Sequence, residues 1–311
     1  MSNFNALGRE AAYQLANVTK TSPQFGALTP RWLTRLLEFK GLDAGIYRVN
    51  KVVEGKTPLE TLCDQESMAT EIPQNFIQYQ AKPREYQLKS VSTIINVDTR
   101  ISDVYSDPYD QSAEQIELAV ESLRERQESQ IINNDDYGLL KNVVDAQRVQ
   151  TRYGRPMPDD LDELLNKVWK EPSFFFAHPK AIAAFARECT RRGVPPATLN
   201  VAGGTFIAWR GVPLIPTDKL FVDGQKNPLS KSGKTNILLI RTGERKRGVI
   251  GLYQANLPGE HSRGLSVRAR GIDDNGLASY LLSLYCSAAI LADDAIAVLE
   301  DVEVGDYYDY S

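Results

Sequence analysis

The chain has 311 residues, of which 42% are hydrophobic and 24% are charged, so a disordered chain is excluded. Its formal net charge of −4 argues against a dedicated nucleic-acid-binding protein, because such proteins carry a basic excess or a basic stripe. Three dispersed cysteines without a CxxC pair and only two histidines argue against a disulfide framework and a zinc enzyme, and favour a reducing, cytoplasmic environment.

The start of the chain has no basic segment followed by an apolar run, so no signal peptide is predicted. Residues 1–28 are polar and irregular, which is typical of an arm that packs on another element. Thr29 as the N-cap and Pro30 as the first helical residue predict a helix that ends at Gly41. Residues 46–53 are strand-like.

A polar stretch at residues 54–85 contains isolated apolar side chains but no run that would form a core. Such a segment is unusual inside a compact domain. We therefore expect it to project from the subunit and to pack on a neighbouring copy. The apolar residues expected at this contact are Ile72, Phe76, Ile77 and Tyr79.

The clearest helix is predicted from Ser112 to Ile132, after a β-branched strand at residues 86–97. Its apolar stripe includes Val120 and Leu123. The opposite face carries Glu117, Glu121, Arg124, Glu125 and Glu128. A single apolar stripe on a helix of roughly 30 Å predicts a spine that lies across a sheet.

Two shorter helices are predicted, one opening at Met157 with Trp169 on its apolar face and one running from His178 to Gly193. A strand at residues 173–177 separates them, and a Gly- and Pro-rich loop follows at residues 191–204. The remaining predicted strands are Thr205–Ile215, Asn236–Thr242, Gly248–Tyr253, Leu265–Arg270 and Ala295–Val304. The absence of repeated βαβ units predicts the α+β class.

Residues 275–292 are uncharged and fall at the lower edge of a membrane-spanning length. Serines interrupt this segment, Asp293 and Asp294 follow it at once, and no Lys or Arg flanks it, so a buried element is favoured over a membrane span. The serine spacing fits one face of a helix and also one face of a strand, so periodicity leaves both open.

No catalytic, cofactor or metal site is predicted. Residues 232–235 (SGKT) resemble the end of a phosphate-binding loop, but Pro228 stands where that motif requires glycine. His178 lies eleven residues from Cys189 on the same predicted helix, about 16 Å away at the helical rise, too far to activate the thiol. No third ligand is apparent for a metal ion at either Asp159–Asp160 or Asp293–Asp294.

Several long runs nevertheless resemble one known family. They are AGIYRVNKVV, KPREYQLKSVSTIINVDTRISDVYSDPYDQ, RERQESQIINNDDYGLL, SFFFAHPKAIAAFARECTRRGVPPATLN, TFIAWRGVPLIPTDKL, GLYQANLPGE and SYLLSLYCSAAILADDAIAVLEDVEV. Together they resemble the family 2A encapsulins, which are shell proteins of bacterial and archaeal nanocompartments. The resemblance spans about Arg9 to Val304 and leaves no room for the cyclic-nucleotide-binding domain of the sister subfamily.

The resemblance implies the Hong Kong 97 (HK97) phage-type major capsid fold, with an N-arm, an E-loop, a P-domain with its spine helix, and an A-domain. It implies the following division: N-arm 1–45, E-loop and P-domain 46–156, A-domain with the five-fold tip 157–216, and further P-domain strands with an acidic tail 217–311. It also implies that the uncharged segment near residue 285 is a strand.

By the same resemblance, the chain is expected to be a non-enzymatic shell protomer that binds itself, about 60 copies forming a T=1-like icosahedral shell. The expected cargo is a cysteine desulfurase recognised through its disordered N-terminal segment, with a role in sulfur metabolism or storage. No cofactor, nucleic acid or membrane partner is expected. The expected five-fold pore loop comprises Arg191, Arg192, Gly193, Val194, Pro195 and Pro196.

Two alternatives remain from the sequence. One is a phage major capsid protein of the same fold that encloses DNA, which the net charge of −4 disfavours. The other is a cytosolic enzyme of small oligomeric state, which lacks an assembled site. The mass of the particle in solution separates the second alternative from a shell.

Overall fold

The computed structural model describes residues 29–50, 79, 81–97, 111–223, 233–272 and 278–305. Within these residues the helices are α1 (Trp32–Leu36), α2 (Gln111–Asn133), α3 (Pro158–Lys167) and α4 (Pro179–Arg191). The strands are β1 (Phe39–Leu42), β2 (Ile46–Val49), β3 (Arg84–Gln87), β4 (Lys89–Val97), β5 (Arg148–Gln150), β6 (Phe174–Ala177), β7 (Ala197–Val201), β8 (Gly204–Trp209), β9 (Val212–Pro216), β10 (Lys234–Ile240), β11 (Val249–Gln254), β12 (Glu260–Ser262), β13 (Leu265–Ile272), β14 (Ala278–Ile290) and β15 (Ile296–Glu303). This mixture confirms the predicted α+β class, and α2 is the predicted spine helix.

A seven-stranded sheet has the strand order β5-β15-β10-β6-β9-β8-β7 and is apolar on both faces. Because successive side chains of a strand point to opposite faces, Phe174 and Phe176 of β6 join one core while Phe175 joins the other. Helices α3 and α4 cover the face that carries Phe175. Helix α1 and the end of the spine helix cover the other face through Leu33 and Ile131.

A second sheet has the order β1-β11-β14-β13-β12, and β4 also pairs with β14. The first half of the spine helix packs on this sheet, where Val120 and Leu123 share a core with Leu282 and Leu284 of β14. The strand implied for the uncharged segment is therefore confirmed. Among the helices of the described residues, none has the length and apolarity needed to cross a membrane.

A helix was predicted from Thr29 to Gly41, and both bounds of this prediction are wrong, since α1 runs from Trp32 to Leu36. The backbone N–H and hydroxyl of Thr29 donate to the carboxylate of Glu125 at 2.9–3.1 Å, so Thr29 contacts the spine helix and does not cap α1. The segment after α1 is strand β1, which pairs in parallel with β11. Gly251 of β11 permits this pairing, since a side chain there would overlap the ring of Phe39.

The strand predicted from residue 205 to residue 215 is two strands, β8 and β9. Arg210 and Gly211 both have positive φ, 49° and 85°, and form the two-residue turn of a hairpin. The guanidinium of Arg210 lies 5.0 Å from the ring centroid of Trp209 and pairs with Asp162 of α3 at 3.2 Å.

The part of the charged face of the spine helix that carries Glu125 and Glu128 is covered by other parts of the fold. Lys219 Nζ lies 2.8 Å from the Glu125 carboxylate, and the N–H of Thr34 donates to Glu128 at 3.3 Å. Glu128 is only 2% exposed, and its burial raises the pKa of the carboxyl group to about 7. The spine helix is therefore held by apolar contacts on one side and by polar contacts on the other.

Removal of the Phe185 side chain is expected to destabilise the subunit strongly. Phe185 is fully buried and lies edge-on to Trp209, with 5.5 Å between ring centroids. Phe185→Ala should lower the free energy of unfolding by about 3–5 kcal/mol, measured by denaturant titration. Thr190→Ala, at an exposed position of the same helix, is the control and should change it by less than about 0.5 kcal/mol. Equal effects would contradict this packing.

Glu128→Gln is expected to stabilise the protein increasingly as the pH rises. The folded-state pKa lies above the unfolded value of 4.5, so the unfolded chain releases its proton first and wild-type stability falls between about pH 4.5 and pH 7. The amide of the variant does not titrate, and its advantage should approach a limit of roughly 3 kcal/mol above pH 7. Melting temperatures of both proteins from pH 5 to pH 8 measure this, and parallel curves would contradict it.

Candidate assembly surfaces

The candidate pore loop begins where α4 ends, at a turn with defined geometry. Gly193 has φ 67°, a value that favours glycine, and its N–H donates to the carbonyl of Thr190 at 3.1 Å. The N–H of Val194 donates to the carbonyl of Cys189 at 3.0 Å. The predicted helix stop at Gly193 is thus confirmed, and the loop leaves the helix in a fixed direction.

The two arginines of this loop differ in their surroundings. Arg191 is the last residue of α4, and its guanidinium lies 2.5 Å from the carboxylate of Glu188, one turn earlier. Glu188 is buried and also lies 3.7 Å from Arg155. Arg192 is exposed. Of the two expected pore cations, Arg192 is therefore the one whose charge faces solvent in the isolated subunit.

The segment after the turn was predicted to be a loop as far as Gly204, and this is wrong. Residues 197–201 form β7, which pairs with β8 as the outer strand of the seven-stranded sheet. In the described part of the chain, β7 has no strand on its other edge. Val194 and Leu199 are 48% and 37% exposed there. An open edge with exposed apolar side chains is a surface that another chain can cover.

The expected contact residues of the polar stretch lie mostly outside the described residues. Ile72, Phe76 and Ile77 belong to that part of the chain. Tyr79 is described, and its side chain is 63% exposed. It is therefore available to a neighbouring subunit, and its role in such a contact stays a prediction.

Large aromatic side chains are exposed elsewhere on the subunit. Trp169 was predicted on the apolar face of α3, and this is wrong: the helix ends at Lys167, and Trp169 is 70% exposed with Lys170 Nζ 5.6 Å from its ring centroid. Tyr153 and Phe221 are also largely exposed. Such side chains are enriched at the centres of protein interfaces.

The groups that would support catalysis have structural surroundings. Burial raises the pKa of the Cys189 thiol to about 11, which leaves it protonated and unreactive at neutral pH. His178 caps its own helix by accepting a hydrogen bond from the N–H of Lys180 at 3.1 Å. Lys234 and Thr235 begin strand β10 instead of a helix, so the context of a phosphate-binding loop is missing. Across the described residues, no cluster of three potential metal ligands occurs.

The sequence comparison identifies the family. A profile for the SrpI-like type 2A encapsulin shell protein matches residues 48–306. The type 2A encapsulin shell protein SrpI of Synechococcus elongatus is 57% identical over 305 residues, which cover 98% of this chain and 96% of the relative. This chain belongs to the type 2A encapsulin shell proteins. The type 2A encapsulin shell protein of Mycolicibacterium paratuberculosis is 50% identical over 308 residues, covering 98% and 97% of the two chains.

Solved structures agree with the family and with the capsid fold. The cryo-EM structure of the holo-SrpI encapsulin complex of Synechococcus elongatus matches with a TM-score of 0.82 and 55% identity, covering 98% of this chain and 99% of that chain. The capsid of a native GTA particle matches with a TM-score of 0.58 at 13% identity, covering 95% and 99% of the two chains. At that identity the likeness shows the fold alone, and it confirms the expected HK97 phage-type capsid fold.

Family membership establishes the general role of the encapsulin chain. Its relatives are named as shell proteins, so the chain is a structural subunit of a multi-subunit, capsid-like shell and not an enzyme. The exposed strand β7 and the exposed aromatic side chains are surfaces that such a subunit can use in assembly.

Sequence patterns alone did not identify two of these surfaces. Strand β7 has the sequence ATLNV, which is too short and too close to a Pro-Pro pair to indicate a strand. Trp169 follows the apolar stripe of α3 directly, so its exposure depends on where that helix ends. The charged residues Lys167, Lys170 and Glu171 surround Trp169 in the sequence. They were the signal that Trp169 lies outside the core.

A charge on the face of β7 that carries Leu199 is expected to impair assembly without unfolding the subunit. In Leu199→Lys, a neighbouring subunit that covers this face would have to bury an ammonium group, which is costly. The assembled fraction should therefore fall by about tenfold or more. Thr198→Lys places the same charge on the opposite face of the strand and is the matched control. Circular dichroism tests folding, and sedimentation measures assembly. An assembled fraction of Leu199→Lys equal to that of wild type would contradict a contact at this face.

Proposed function

We propose that this encapsulin protomer builds a T=1-like icosahedral nanocompartment of about 60 subunits in the cytoplasm. We propose further that it encloses a cysteine desulfurase and thereby serves in sulfur metabolism or storage. The observation that carries the proposal is the 57% identity to an encapsulin shell protein along 98% of the chain. The cargo assignment is supported by the resemblance to the cysteine-desulfurase-associated subfamily.

The exposed apolar surface gives a physical reason to assemble. Trp169, Phe221 and Leu199 contact solvent in the isolated subunit, and so does Tyr79. Burial of apolar area against a neighbour contributes about 25 cal/mol per Å² before the cost of ordering is subtracted. Repetition of one set of contacts under a closed symmetry makes a finite shell favourable. Tyr79, with Ile72, Phe76 and Ile77, is proposed to supply part of that contact from the E-loop.

The loop after α4 is proposed to line the five-fold pore, with residues Arg192 to Pro196 as its tip. Arg192 would repeat at each symmetry-related loop, which would surround the opening with positive charge and favour the entry of anions. Arg191 contributes less to this field because Glu188 neutralises it within the subunit. The subunit would thus act on the enclosed reaction by controlling which molecules enter.

Assembly and loading are tested together by co-expression with a cysteine desulfurase, either intact or lacking its N-terminal segment. Size exclusion with light scattering should show particles of about 60 chains that contain the intact enzyme and exclude the truncated one. A monomer or dimer at every salt and protein concentration would contradict the shell. Shells that exclude the intact enzyme, or load the truncated one equally, would contradict the cargo assignment.

Arg192→Gln in the shell protein is expected to slow the turnover of an anionic substrate by the enclosed enzyme. The same enzyme outside the shell gives the reference rate. The loss of the repeated charge lowers the local anion concentration, so the rate should fall by about twofold to tenfold at low salt, less at high salt. Arg245→Gln, at an exposed position outside the loop, is the control. Equal rates for Arg192→Gln and wild-type shells would contradict the pore assignment.

A further inference from the structure

A cleft of about 360 Å³ lies between α1, the spine helix and the turn that joins β12 to β13. Its lining is unusual in charge, because it contains four guanidinium groups and one carboxylate. The guanidinium groups belong to Arg31, Arg35, Arg124 and Arg263, and the carboxylate belongs to Glu121. These arginines come from three segments that are far apart in the sequence, the segment of Arg31 and Arg35, the spine helix and the β12–β13 turn, and the fold brings them together.

The acidic side chains near the cleft are already paired. Arg31 Nη1 lies 2.7 Å from the carboxylate of Glu121. The Glu125 carboxylate lies 2.8 Å from Lys219 Nζ and 3.8 Å from the Arg31 guanidinium, so two cations share its negative charge. One turn before Glu121, Glu117 contacts the imidazole of His261 at 3.1 Å and is not among the residues that line the cleft. The cleft therefore keeps an excess of positive charge.

Arg124 shows this imbalance most clearly. Its guanidinium donates to three neutral oxygens, those of the Gln127 amide at 3.1 Å, the Ser262 hydroxyl at 2.5 Å and the Arg263 carbonyl at 3.4 Å. Among the described residues no carboxylate lies within ion-pair distance of it. Burial and the charge of Arg31 lower the pKa of Arg124. Partly buried cations are normally paired with an anion.

Two of the arginines that line the cleft are exposed to solvent. Arg35 is exposed and lies 5.4 Å from the ring centroid of Trp32. Arg263 is also exposed and lines the cleft from the turn between β12 and β13. Neither forms an ion pair within the described part of the chain. Tyr253 and Phe39 contribute aromatic walls between the charged groups.

We propose that this cleft is a binding site for a tetrahedral oxyanion, the phosphate group of a small soluble molecule. Guanidinium groups match such an anion because their planar donor pairs form two parallel hydrogen bonds to it. The anion would balance the charge of Arg124 and join α1 to the spine helix. The cleft exceeds the size of one phosphate, so the rest of the molecule would extend between Phe39 and Tyr253. This site is independent of the cargo and of the pore.

The probe is inorganic phosphate, titrated calorimetrically into purified cargo-free protein in a low-salt buffer without other oxyanions. Wild-type protein is expected to bind one phosphate per subunit. Arg124→Gln should weaken this binding and raise the dissociation constant by at least about tenfold. Arg270→Gln, at an exposed position of β13 outside the cleft, should bind like wild type. Should Arg124→Gln fail to fold, the exposed pair Arg35→Gln with Arg263→Gln replaces it and should weaken binding similarly.

Three results would contradict the proposed site. The first is that wild-type protein shows no saturable phosphate binding. The second is that the cleft variants bind phosphate as tightly as wild-type protein does. The third is a structure of phosphate-free protein in which a carboxylate from a neighbouring subunit or from another part of the chain occupies the cleft and phosphate fails to displace it. Assembly and cargo loading do not enter these readouts, so failure here is distinct from failure of the proposed function.

Discussion

The spine helix is the constraint on which the rest of the encapsulin subunit depends. Its first half packs through Val120 and Leu123 on the six-stranded sheet, and its end packs through Ile131 and Ile132 on the seven-stranded sheet. One helix of 23 residues therefore links the two sheets, which also share a core through Ile240, Val249 and Ile290. A rigid relation is needed for assembly, since identical contacts can close a symmetric shell only if every subunit presents them at the same angle.

The polar side of the helix adds specificity to this arrangement. Glu125 and Glu128 are held by Lys219 and by Thr34, which come from segments on either side of the helix in the sequence. A largely buried ion pair such as Glu125–Lys219 contributes little net stability, but removal of one partner is costly. The hydrogen bonds that Thr29 and Thr34 donate to Glu125 and Glu128 bind the segment around α1 to the helix in one register. The same arrangement gathers the arginines of the cleft beside the helix, where Arg124 lacks an acidic partner in the described residues.

Much of the fold follows from sequence patterns, and the exceptions have physical causes. The spine helix, the strand at Phe174–Ala177 and the helix ending before Gly193 were predictable because long periodic runs and clear stop signals mark them. The segment after Thr29 was mispredicted, since a short apolar run fits a helix as well as a strand, and the pairing of β1 with β11 decides between them. The exposure of Trp169 and the cleft around Arg124 depend on tertiary contacts that sequence spacing does not encode. The residues predicted to form E-loop contacts, apart from Tyr79, lie outside the described residues.

The most direct measurement is a cryo-EM reconstruction of the purified protein without cargo. We expect closed icosahedral particles in which the spine helix joins both sheets of each subunit, strand β7 and Trp169 are covered by neighbouring subunits, and the turn at Gly193 faces a five-fold opening. Particles of a few subunits, or a closed shell in which these surfaces remain in solvent, would contradict the central claim that the exposed apolar surfaces of this subunit drive its assembly.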